Sequence, residues 1–224
     1  MNSKKLLWIG LFAIGMAFIE AATVVYLRRV LNIHDLIIDI PPFDPEITPI
    51  EIGRELSTLI MLFAVGWAIG KSWQSRVGIL FFGFGIWDIF YYVWLRIFIG
   101  WPDSILAQDL LFLIPLPWWG PVIAPVLISC LMVIGGVFAV IDEDNGYAIK
   151  VSWTNWIALF FGLLALLFSF MKDAIMKLPA NVETLSRLRP TVFDWQIYLI
   201  GLVVISYIIL KIAIQKNTKQ GMNK

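Results

Sequence analysis

Long apolar runs separated by short polar breaks dominate the hydropathy pattern of the chain. A helix needs about 20 predominantly apolar residues to cross a hydrocarbon core of about 30 Å. Six runs meet that requirement, approximately 6–27, 52–69, 77–99, 119–141, 153–171 and 194–214. The pattern therefore predicts an all-α, polytopic membrane helical bundle. No repeat, Gly/Ser linker or long polar stretch divides residues 1–224, so a single integral membrane domain is expected. The N-terminus has the basic head of a signal peptide. Its apolar body runs on past Glu20 without a small-x-small cleavage site, so it is read as an uncleaved first span.

Two connecting segments are neither spans nor ordinary loops. Residues 31–50 are acidic and carry four prolines. They are too broken for a helix and too apolar for free disorder, and are expected to pack over the bundle mouth. Residues 101–121 are apolar but short and interrupted by proline. They predict a short interfacial or re-entrant segment near 104–114, with SILAQDLLFLI as a helix at headgroup level. Pro125, inside the fourth run, is expected to kink that helix and free a carbonyl.

Composition agrees with the bilayer assignment. Of 224 residues, 60% are hydrophobic and 15% charged, with mean hydropathy +0.84, against roughly half and a quarter in soluble domains. Eleven tryptophans suit the aromatic belts of a membrane protein. A net charge of +1 without a basic run argues against nucleic-acid binding. The expected surroundings are the lipid bilayer, a small polar or ionic ligand, and a membrane-protein partner or second copy. Cys130 and His34 are each the only residue of their type, which excludes an internal disulfide, a thiolate cluster and bis-histidine haem ligation within the chain. No cofactor is expected.

With both termini in the cytoplasm, nine Lys/Arg fall on the cytoplasmic side and eight on the other, so the count alone does not orient the chain. Arg28, Arg29, Arg54 and Arg96 lie at span ends beside acidic residues, as groups held by the fold would. The lysine-bearing termini then favour the cytoplasm, giving a multi-pass protein of the cell membrane with both termini inside.

Charges within spans carry the candidate chemistry. On insertion scales a charge at the bilayer centre costs roughly 2.5–3.5 kcal/mol, so each needs a partner or a wet cavity. Glu20 and Asp88 fall about 10–12 Å below one membrane face at 1.5 Å per residue, and Glu55 enters from the same face. Helical spacing groups Ala13, Ala17 and Thr23 with Glu20. It groups Glu51, Glu55 and Thr58 on the second span beside Arg54, and Gly85, Asp88, Tyr92 and Arg96 on the third. The resulting candidates for ligand or proton binding are Glu20, Arg54, Glu55, Asp88, Tyr92 and Arg96. In that reading Arg54 holds an anionic group, Glu20 and Asp88 supply charge or relay protons, and Tyr92 donates a hydrogen bond.

The alternative is a purely structural network of paired charges locking three helices. These carboxylates also offer oxygen ligands to a divalent cation, but nearby arginines oppose it and no Glu-x-x-His pair exists, so no metal site is assigned. Catalytic residues cannot be assigned: Ser57, Ser129 and Ser169 are hydroxyls without a nucleophile motif. Three functions follow in order: a ligand-binding or transporting membrane protein open to the outer face, a noncatalytic subunit of a larger membrane complex, and a membrane-embedded enzyme acting on lipid or isoprenoid. The first requires a carboxylate without a basic partner. The second requires complete charge pairing, and the third an apolar groove reaching the cluster.

Overall fold

The computed structural model describes residues 2–33, 44–181, 184–185 and 188–214. His34 and half of the acidic 31–50 loop, residues 34–43, lie outside the described residues. Six helices long and apolar enough to cross a membrane account for most of the chain. They are α1 (Asn2–Val30), α2 (Ile47–Ile69), α3 (Trp73–Ile99), α4 (Ile123–Asp144), α5 (Trp153–Ile175) and α6 (Trp195–Ile214). Each of the six predicted runs contains a spanning helix, although the first residues of the fourth, 119–121, belong to a strand, and the molecule is an all-α bundle with the architecture of an integral membrane protein. Exposed Trp8, Ile60, Phe161 and Ile200 exemplify the apolar outer surface that hydrocarbon solvates.

The 101–121 segment differs from its predicted helix. Between α3 and α4 the chain forms an antiparallel hairpin of β1 (Gln108–Phe112) and β2 (Trp118–Pro121), pairing Gln108 with Pro121, Asp109 with Gly120 and Leu110 with Trp119. Pro115 and Pro117 stop any helix here from running on toward α4, which leaves the segment short. A strand pair instead satisfies backbone groups within the segment, as an apolar setting requires. Hairpin and α4 are tied by Val122 N–H donating to Ala107 O and Ile123 N–H to Ile105 O.

Pro125 is a second correction. Because α4 begins at Ile123, this proline falls in the first turn, where its missing N–H has no intrahelical partner to lose. The expected mid-helix kink has no cause there. Ala124 O accepts instead from the buried Tyr198 hydroxyl at 2.7 Å, linking α4 to α6.

Helix α3 is the hub, packing along α1, α2 and α4, while α5 packs mainly along α6 and touches β2. One core joins Ala13, Met16, Ala17, Leu62 and Trp87 across α1, α2 and α3. A second joins Ala124, Leu166, Phe170, Phe193 and Tyr198 around α4, α5 and α6. Close approach of α3 to α4 depends on small residues: a Cβ on Gly85 would stand 2.5 Å from Ser129 O, and one on Gly136 2.5 Å from Gly78 O. Gly120 lets β2 lie against α5, where a Cβ would meet the Phe170 ring at 2.7 Å. The hairpin thus closes one end of the bundle and bridges the two cores.

Candidate functional site

A cavity of about 430 Å³ lies beneath the hairpin, lined by α1, α2, α3, both strands, α4 and α5. That volume falls within the roughly 300–1,000 Å³ of small-molecule sites. Five of the six sequence-predicted candidates line it: Glu20, Arg54, Glu55, Asp88 and Tyr92. Arg96 does not. Its exposed guanidinium turns to the carbonyls of Gly100 and Pro102 and lies 3.7 Å from Asp103. The inward stripe of α3 runs Gly85, Asp88, Tyr92 and Leu95, each buried, so the spacing of three from Tyr92 was followed and not that of four.

Among the described residues the lining charges fall into two paired groups and three carboxylates without an ion pair, Glu55, Asp88 and the less buried Asp44, which accepts the N–H groups of Glu46 and Ile47. In the first group Arg54 bridges helices, contacting Glu20 of α1 and, through Nη2 at 2.8 Å and Nε at 2.9 Å, Glu51 of its own helix. Thr58 Oγ1 lies 3.3 Å from the other oxygen of Glu20. Arg54 is thereby engaged by carboxylates on both sides and is not open toward an anion. The small-residue stripe beside Glu20 fits this placement, with Ala13 and Ala17 fully buried.

The second group centres on Asp109, which sequence reasoning did not single out. This hairpin residue is 2% exposed. It receives the Tyr92 hydroxyl at 3.1 Å and lies 3.6 Å from Arg28 Nη2. Arg28 in turn sits 4.3 Å from the centre of the Trp101 ring. Burial pushes the Asp109 carboxyl above its ordinary range, against the pull of Arg28 and the Tyr92 hydroxyl. The available signal was a lone acid in an apolar stretch, Ala107 to Ile114, which the helix reading left at a solvated surface. Arg29, counted among the network charges, is exposed.

Glu55 and Asp88 are each 7% exposed, and neither makes an ion pair among the described residues. Glu55 accepts the Leu113 N–H at 3.2 and 3.0 Å, securing the backbone just past β1. Asp88 accepts the Ser129 hydroxyl of α4 at 2.8 Å through Oδ2. Ser129 thus serves as a hydrogen-bond donor across the α3–α4 contact. Among the described residues no group of three His, Cys, Asp or Glu side chains is placed to hold a metal ion.

The rest of the lining is aromatic and aliphatic. An aromatic arc runs from Phe84 through Trp87, Phe112 and Trp118 to Phe170, with neighbouring ring centroids 5.2 to 6.5 Å apart. The indole N–H groups of Trp87 and Trp118 have no acceptor among the described residues, and both rings line the cavity. Trp118 was visible in the sequence only as part of a proline-rich aromatic segment.

Fold and site together define a polytopic helical membrane protein with an amphipathic cavity at one end of its bundle. Comparison with known protein families, curated proteins and solved structures finds no match.

Proposed function

We propose that the chain is a multi-pass protein of the cell membrane, with both termini cytoplasmic, that binds a small polar solute, an ion or protons in the hairpin-end cavity from the outer face, as a receptor or carrier. One observation carries this reading: Glu55 and Asp88 line the cavity and neither forms an ion pair among the described residues, although Arg54 lies near enough to act on Glu55 at longer range. A buried carboxylate without a counter-charge is costly, and a group retained at that cost at membrane depth marks a binding site or proton path. The assembly-subunit alternative calls for complete charge pairing, which these two residues lack among the described residues.

Access is the first property to test. In a Cys130→Ala background, Asp88→Cys and Ala17→Cys variants are exposed in intact cells to a small, membrane-impermeant thiol reagent. Labelling at position 88 and protection at position 17 are expected, with both thiols reacting after denaturation in detergent. Ala17 is fully buried and lies outside the cavity lining. Equal protection of both positions in the folded protein would remove the basis for an outward-open site.

A further inference from the structure

Resting on the ligand-site reading but replacing its small solute by the polar head of a lipid-like molecule, we infer that the cavity takes a neutral, hydroxyl-headed amphiphile, with its head against Asp88 and Trp87 and its apolar body along α4 and α5. Three independent features select this chemistry.

The first is charge. Six carboxylates line the cavity, Glu20, Asp44, Glu51, Glu55, Asp88 and Asp109, against two guanidiniums, Arg28 and Arg54, each already in contact with a carboxylate. This balance repels a phosphate or carboxylate head.

The second is hydrogen-bonding capacity. Asp88 uses Oδ2 for Ser129, while Oδ1 has no partner among the described residues. Trp87, 5% exposed, has an indole N–H with no acceptor among the described residues. Leaving a buried donor unpaired costs about 1–3 kcal/mol, so a group that supplies the acceptor is favoured there. An ammonium head has donors only and leaves the indole unsatisfied. A hydroxyl has one donor and two lone pairs, so a head bearing hydroxyls can give hydrogen to Asp88 and also offer an acceptor to Trp87, which as the neighbour of Asp88 along α3 points to a different part of the cavity wall. Trp118 and Arg28 Nε, also without acceptors, leave room for a head with more than one hydroxyl.

The third is access for an apolar body. The inner wall is built by Ile128, Met132, Leu163, Leu166, Leu167 and Phe170. Leu163 lies near the middle of α5 and is 50% exposed while lining the cavity, so the cavity reaches the outer surface at hydrocarbon depth. No extended packing joins α2 to α5, which line the same cavity. A molecule dissolved in the bilayer can enter there with its tail leading along α5.

A simple lipid alcohol and a glycolipid share this hydroxyl chemistry, and a headgroup series on one tail separates them. The full chain, in phosphatidylcholine nanodiscs, is photolabelled with a long-chain alcohol bearing a diazirine in its tail. Labelling is competed with dodecanol, dodecyl glucoside, dodecylamine and dodecyl phosphate. Saturable labelling of peptides containing residues 84–92 and 163–170 is expected, displaced by dodecanol for a lipid-alcohol site or by the glucoside for a sugar-headed one. The amine and phosphate should be at least about tenfold weaker, the equivalent of one hydrogen bond or repelled charge. Trp87→Phe, which keeps a ring between Phe84 and Phe112 but removes the donor, should weaken the effective competitor by about two- to tenfold. Amine or phosphate competing as well as the alcohols, unsaturable labelling spread over the lipid-facing surface, or an unchanged affinity in Trp87→Phe would each overturn the inference. If position 88 is accessible to thiol reagent yet no hydroxyl amphiphile competes, the head class fails and the ligand site stands. If position 88 is protected and no hydroxyl amphiphile competes, both fail; if it is protected and one competes, the outward-open reading fails and the amphiphile site stands.

Discussion

At the scale of single residues, burial and partner identity decide what each acid can do. Asp109 is the clearest case, because a hairpin carboxyl is held away from water while one guanidinium and one phenol face it. Burial raises its carboxyl above the ordinary value of 3.8. The native state then holds the proton more tightly than the unfolded chain. The stabilisation this confers is complete below the unfolded value and is lost as pH rises through the raised native one. Asp109→Asn cannot ionise, so its stability relative to wild type is expected to improve as pH rises from about 4. Unfolding midpoints of the two proteins across a pH series measure this, and a constant difference would contradict the desolvation of Asp109. Glu20, Glu55, Asp88 and Tyr92 were legible as neighbours around one cavity because helical periodicity and membrane depth depend on sequence spacing alone. Asp109 was not, since its burial comes from a strand pairing with Gly120 that spacing does not encode.

At the scale of elements, the α3–α4 contact sets the geometry of Asp88. Gly85 lies one turn before Asp88 and meets the backbone at Ser129, the residue whose hydroxyl Asp88 accepts. A methyl at position 85 would stand 2.5 Å from Ser129 O and 2.7 Å from Val133 Cγ2, so the helices must separate. Gly85→Ala is expected to destabilise the bundle by about 1–3 kcal/mol despite its gain in helix propensity. Gly15→Ala in α1, where a Cβ meets nothing within 4 Å, should be neutral or slightly stabilising. Detergent-unfolding titrations of both variants make the comparison, and equal effects would contradict the tight contact. The six helices were readable because a spanning length of apolar residues has few alternatives in a bilayer. The hairpin was misread because a short apolar run does not distinguish strand from helix by period, and its prolines bear on which one survives. Pro125 was misread for a related reason: with α4 beginning at Ile123, the same residue moves from a helix interior to a first turn.

At the scale of the whole molecule, the bundle has one end tied together by charges and a hairpin, with a cavity beneath it. Arg54 joins α1 to α2, Asp109 joins the hairpin to α1 and α3, and Asp88 joins α3 to α4. These links answer the structural half of the sequence reading, because much of the network does hold helices together. Glu55 and Asp88 answer the other half, being cavity-lining acids whose partners among the described residues are a backbone N–H and a hydroxyl. The central claim is that this cavity holds a molecule. Native mass spectrometry of the protein released directly from its own lipid membrane tests it most directly. A discrete bound mass is predicted on the wild type, and it should be lost or strongly reduced in the Trp87→Phe, Asp88→Asn double variant that still unfolds cooperatively. Bare protein under every release condition, or the same adduct on both proteins, would contradict the account.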